Sequence, residues 1–314
     1  MKKFSQKIIF IGLGTCLLFL YNRLIFSLAT IKEKLYHSRA HYYQWKFGKI
    51  FYTVQGKGSS LLLIHDTSAD SSSYEFNKLI DTLAKKHRVY AIDLIGYGKS
   101  DKPKITYTAY LFVQLLLDFR KNVIREKTSV LTSGRSNAYV TMACFQNPEV
   151  FNNLVFINPG SFDVFSKNPK RKDRLNKFLI ELPIFGTSFY NVMFSRLMIR
   201  RSLKDKFYNP MHLKLSYIDI FREAAHLSGS ASKYTYASDL CHFNNVNIKE
   251  AISKINNNIF LIQGTRTNGD YEAVINDYKH LNPAIESSSI DRAKNYPHIE
   301  KPESTLEVLM VYLH

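Results

Sequence analysis

Short runs of branched and apolar residues, each followed by a helical pattern, restrict this chain to a sheet covered on both faces. Residues 61–64 are continuously apolar, as a strand buried on both sides must be. The signal recurs at 88–92, 129–133, 154–157 and 258–263, and a last run at 285–290 closes the series. Helical patterns fill the gaps at 75–86, 108–124, 136–147 and 271–281, with a final one at 302–313. Strands alternating with helices predict an α/β fold with a mostly parallel central sheet. Residues 43–54 add a hairpin around Gly48 and Lys49. From about 160 to 252 the alternation stops, and helical, basic and aromatic sequence predicts a cap inserted between two strands.

With 45% hydrophobic and 14% aromatic residues the chain can bury a large core, which excludes a disordered protein. Lys and Arg total 43 against 26 Asp and Glu, a formal charge of +17 that favours anionic surfaces. No helix-turn-helix, zinc-finger or RNA-binding signature accompanies the charge, so nucleic acid is not the expected partner. The amino terminus points instead to a membrane. Lys2, Lys3 and Lys7 precede a nearly unbroken apolar run over 8–29, interrupted only by Asn22 and Arg23. About 20 apolar residues span a bilayer, and Arg23 lies near enough to one end to snorkel. Ser27-Leu28-Ala29 offers a weak signal-peptide cleavage site, against which the internal Arg23 argues. The expected organisation is therefore a membrane anchor and linker over 1–35, amino end inside and domain outside. One domain then runs over 36–314, with its cap at about 160–252. Cys16, Cys144 and Cys241 read as small apolar residues rather than a disulfide or metal set. No helical His-x-x-x-His or Cys-x-x-Cys pair is present, so no metal or cofactor is implied.

Particular segments sharpen the fold. LLLIHD at 61–66, DLIGYGKSD at 93–101, FINP at 156–159, IFLIQG at 259–264 and NYPHIEKPE at 295–303 occur in that order, and KTSVLTSGRSNA at 127–138 reads as strand, tight turn and helix. In this sequence and spacing they resemble the α/β-hydrolases of the single-cap esterase, lipase and dehalogenase type, over nearly all of 43–314. The resemblance implies an α/β-hydrolase fold. It also implies a nucleophile on a strained elbow, a histidine base, an acid that orients it and backbone N–H groups for an oxyanion.

At the implied positions the residues depart from that chemistry. Gly134, fourteen residues before Pro148, falls on the elbow apex between Ser133 and Ser136. A glycine has no nucleophile but relaxes the turn. A register shifted by two would make Ser136 the nucleophile of Gly134-Arg135-Ser136-Asn137-Ala138. Thr267 stands where the acid belongs, with Asp270 or Asp163 as stand-ins. Asn295 stands where the catalytic histidine belongs, and His298 matches the motif's second histidine. In the oxyanion region, His65-Asp66-Thr67, Asp66 replaces the usual glycine, and the Arg135 side chain is expected to neutralise it.

Two readings follow. In one, the chain is a hydrolase of small acyl or apolar esters that uses Ser136, His298 and Asp270 or Asp163. In the other, the chain is a non-catalytic scaffold that binds a lipid or protein, its basic cap resting on anionic lipid.

Overall fold

The computed structural model describes residues 2–35, 39–266 and 271–313. Helix α1 (Lys2–Thr30) comes first. Strands β1 (Ala40–Trp45) and β2 (Gly48–Gln55) form the hairpin, and β3 (Ser59–Ile64) follows. The expected helix at 75–86 begins as a 3-10 turn at Ser73–Phe76 and continues as α2 (Asn77–Leu83). Strand β4 (His87–Ile92), helix α3 (Ala109–Phe119), β5 (Thr128–Ser133), α4 (Ser136–Gln146) and β6 (Phe151–Ile157) continue the alternation.

Six helices then form the inserted cap. They are α5 (Phe162–Phe165), α6 (Arg171–Glu181), α7 (Phe185–Met193), α8 (Arg196–Lys206), α9 (Leu215–His226) and α10 (Lys233–Leu240). The chain returns through α11 (Lys249–Lys254), β7 (Ile259–Gly264), α12 (Tyr271–Leu281), β8 (Glu286–Ile290), α13 (Pro297–Glu300) and α14 (Pro302–Tyr312).

The eight strands form one sheet in the order β1-β2-β4-β3-β5-β6-β7-β8. β1 and β2 pair antiparallel with each other, and β2 pairs antiparallel with β4; every other pairing is parallel. The two-residue period of a strand sends neighbours to opposite faces. Leu62 and Ile64 of β3 pack with Phe112, Leu116 and Tyr139 from α3 and α4. Leu61 and Leu63 pack on the other face with Phe76, Leu79 and Leu309. Apolar burial on both faces fixes the register, because a slip of one residue would exchange the two sets. It also brings the carboxyl ends of β3, β4, β5 and β6 together under the cap, where a parallel sheet presents its site.

Candidate active site

The apex of the β5–α4 turn is Gly134, at φ +56, a conformation open to glycine at little cost. Its N–H donates to the Ile157 carbonyl at 3.0 Å, which ties the turn to the end of β6. A second constraint on the residue is steric. A Cβ built on Gly134 would lie 2.2 Å from Asp66 Cγ and 2.3 Å from Asp66 Oδ1. The Asp66 carboxyl therefore fills the space that a side chain on the apex would need.

Asp66 is held there by the backbone. Its Oδ1 accepts the N–H of Thr67 at 2.7 Å and the N–H of Arg135 at 2.9 Å. One donor belongs to the loop after β3 and the other to the residue following the apex. Charge-assisted bonds of this kind are stronger than neutral ones. The guanidinium pairs directly with Asp239 of the cap at 2.5 Å and also feels the Asp66 charge, while the backbone N–H of Arg135 bonds Asp66. Asp239 also accepts from Asn244 at 3.0 Å. Burial pushes the Asp239 carboxyl upward, against the opposing pull of Arg135.

Ser136 opens α4 and is fully buried. Its Oγ donates to the His65 carbonyl at 2.5 Å, so it ties the helix to the end of β3. His65 is itself committed. Its Nδ1 lies 2.6 Å from the Asp66 carbonyl, and its Nε2 accepts the Leu94 N–H at 3.0 Å. Burial lowers the pKa of His65, so the ring is a neutral strut.

His298 lies in α13, stacked on Phe76 at 5.3 Å between ring centroids. Both of its ring nitrogens are buried and have no hydrogen-bond partner among the described residues. Asp163 is exposed at the start of α5. Among the described residues, Ser136, His298 and Asp163 are not joined: the serine is bonded to a backbone carbonyl, and the histidine has no hydrogen-bonded carboxylate. Asp270 and Thr267 lie outside the described residues. Asn295, in the loop before α13, donates its backbone N–H to the Lys206 carbonyl of the cap at 3.1 Å.

A residue that the sequence reading passed over sits at the centre of this cluster. Glu75 is buried beneath the elbow, where it accepts from Ser133 Oγ and from the backbone of Asp66. The Nε2 of His298 lies 3.9 Å from Glu75 Oε1. Burial pushes the Glu75 carboxyl well above its usual range and pushes His298 down to about 3. The contact therefore joins two neutral groups rather than an ion pair. The sequence signal for Glu75 was a carboxylate immediately after the serine-rich loop, which also reads as an ordinary first-turn acid of a helix.

A cavity of about 590 Å³ opens to one side, lined by Lys78, Tyr208, Lys214, Tyr217 and Glu300 among others. None of its lining residues belongs to the elbow.

No family model matches the chain. Among curated proteins it is 32% identical over 115 residues to a 2-hydroxy-6-oxo-6-(2'-aminophenyl)hexa-2,4-dienoic acid hydrolase of Metapseudomonas resinovorans, covering 36% of this chain and 40% of that protein. It is 25% identical over 109 residues to an uncharacterized protein of Mycobacterium bovis, covering 35% and 31%. The chain thus spans well under half the length of these relatives. Solved structures match more completely. A serine hydrolase involved in carbazole degradation superposes with a TM-score of 0.71 at 20% identity, over 87% of this chain and 98% of that one. A membrane phospholipase A described as a bacterial virulence factor superposes with a TM-score of 0.69 at 17% identity, over 100% and 98%.

The chain has the α/β-hydrolase fold.

In the α/β-hydrolase fold, an oxyanion is received by the N–H following the elbow residue and by an N–H from the loop after the third strand. The N–H of Arg135, which follows the apex, and that of Thr67, in the loop after β3, are both taken up by Asp66.

Two outcomes test this arrangement. Gly134→Ala is expected to destabilise the chain by about 2–3 kcal/mol, from backbone strain plus collision with Asp66. In an Asp66→Gly background the same change is expected to cost only about 1–2 kcal/mol. Chemical denaturation of the four proteins measures the coupling, and equal costs in both backgrounds would contradict it.

For His298, the ordinary pKa of 6.5 falls to about 3 on folding. Its contribution is fully present above pH 6.5 and is lost as pH falls toward 3, because only the unfolded chain then takes up the proton. Glu75 acts oppositely, since its raised pKa removes stability as pH rises above 4.5. His298→Phe is therefore expected to gain about 2 kcal/mol relative to the parent between pH 7 and pH 5, as measured by urea midpoints.

Proposed function

We propose that the chain is a membrane-tethered α/β-hydrolase-fold protein that binds rather than hydrolyses. The observation that carries this reading is the Asp66 carboxyl, seated on the two N–H groups where an ester's oxyanion would develop, above an apex without a nucleophile. A fixed carboxyl in that place opposes negative charge on a substrate instead of stabilising it. Glycine at the apex and asparagine at 295 leave neither a nucleophile nor a proton shuttle on the fold's usual elements. Ser136 does not replace them, because its hydroxyl is spent on the His65 carbonyl.

The tether rests on α1, whose segment Ile9–Thr30 is long and apolar enough to cross a membrane. The likeness to a membrane phospholipase A gives the same setting a precedent within the fold. Arg171, Lys172 and Arg174 of α6 and Arg200, Arg201 and Lys204 of α8 are exposed on the cap. Each basic residue near an anionic lipid surface contributes about 1 kcal/mol. The ligand class that this supports is anionic phospholipid.

The reading is tested with the full chain in detergent, incubated with a fluorophosphonate probe and with p-nitrophenyl esters from acetate to butyrate. No labelling above heat-denatured protein and no turnover above buffer are expected. Labelling or turnover that disappears in Ser136→Ala would restore the displaced serine as a nucleophile and overturn the proposal.

A further inference from the structure

Helix α1 does not stand clear of the domain along its whole apolar length. Just beyond its end, Lys34 reaches Asp219 of α9 at 2.7 Å. Phe26 lies on the ring of His226, also on α9, at 5.3 Å. Asn22 is bound to α7, donating to Ser188 Oγ at 2.9 Å and accepting from Asn191 Nδ2 at 2.9 Å. Of these two cap helices, α1 followed toward its free end meets α9 first and α7 second. Helix α7 is the nearer of the two to whatever α1 enters.

The free part of α1 is short for a bilayer. Residues 8–21 amount to about 21 Å of helix, whereas the hydrocarbon core is about 30 Å thick. If α1 spans, the cap must sink by roughly 9 Å, within the 5–10 Å depth at which interfacial helices bury an apolar face.

The edge that would sink is apolar. Ser188 and Asn191 of α7, with the Ile184 carbonyl just before it, form the side that meets Asn22. The next stripe round the same helix carries Phe185, Phe189 and Val192, which are 66%, 45% and 63% exposed. A groove of about 440 Å³ continues from Phe185 and Phe189 to Leu179 of α6. Phe178, beside Leu179, is 61% exposed, and Arg171 and Arg174 precede it on the same side of α6. Single exposed apolar residues are ordinary, but a contiguous apolar surface with a basic border marks an interaction site. Arg23, exposed next to Asn22, lies within a side chain's reach of the boundary that this depth defines.

We propose that the Phe185–Phe189–Val192 stripe of α7, with Phe178 and Leu179 of α6, lies in the acyl–headgroup boundary of a phospholipid bilayer alongside α1. The chain is then held by a spanning helix and a cap wedge together. This inference rests on the membrane tether proposed above but not on the absence of hydrolysis.

The test uses the full chain in phosphatidylcholine vesicles containing lipid brominated near the headgroup end of the acyl chain. Native Trp45, buried at the end of β1, is the internal reference. In Phe189→Trp, the introduced tryptophan is expected to be quenched at least twofold more than Trp45. Adding Val192→Glu is expected to remove half or more of that difference. Leu17→Trp reports insertion of the free half of α1. Quenching in Leu17→Trp without quenching in Phe189→Trp would overturn the cap wedge and leave the tether standing. Quenching in neither would overturn both.

Discussion

The arrangement of this molecule around its elbow depends on one carboxyl shared between two backbone donors. Buried N–H groups must be satisfied, and leaving one unpaired costs about 1–3 kcal/mol. In this chain a single aspartate, Asp66, satisfies two of them on different loops. Its neighbours adjust to that placement. The apex is a glycine because a Cβ would enter the carboxyl. The Arg135 side chain turns to the cap and Asp239 while its backbone stays with Asp66. Ser136 joins α4 to the His65 carbonyl, directly before Asp66.

Below the elbow lies a second, quieter constraint. Glu75 and His298 are buried at 3.9 Å from each other, and burial pushes the carboxyl pKa up and the imidazole pKa down. Burial costs a charged group more than a contact at this distance returns, so both groups shed charge and remain under-bonded. Such a pair packs and orients, as the stacking of His298 on Phe76 does. Among the described residues, Ser133 is bonded to Glu75 and Ser136 to the His65 carbonyl. On the proposed reading, the working surface of the protein moves from the sheet's carboxyl edge to the outside of the cap and to α1.

Much of the fold was legible in the sequence because strand burial on both faces leaves unbroken apolar runs, and the order of runs and helices leaves few topologies. Gly134 was legible for the same reason, since the strand before it and the helix after it fix where the turn falls. Side-chain direction was not. Nothing in the sequence shows that Arg135 gives Asp66 its amide and Asp239 its guanidinium. Glu75 looked like a helix's first acid and proved to be a buried carboxyl bonded to Ser133. The docking of α1 was also hidden, because Asn22 inside an apolar run reads as an interruption until Ser188 and Asn191 are seen beside it. These are contacts between distant segments, which local pattern does not encode.

The central claim is that Asp66 occupies an otherwise competent anion hole. It is tested most directly by experimental structures of the parent and of Asp66→Gly, each soaked in acetate. The account predicts an acetate carboxylate within about 3 Å of the Thr67 and Arg135 N–H groups in Asp66→Gly. In the parent it predicts Asp66 in that place and no acetate. A parent structure with Asp66 turned away and the two N–H groups open to solvent or acetate would contradict it.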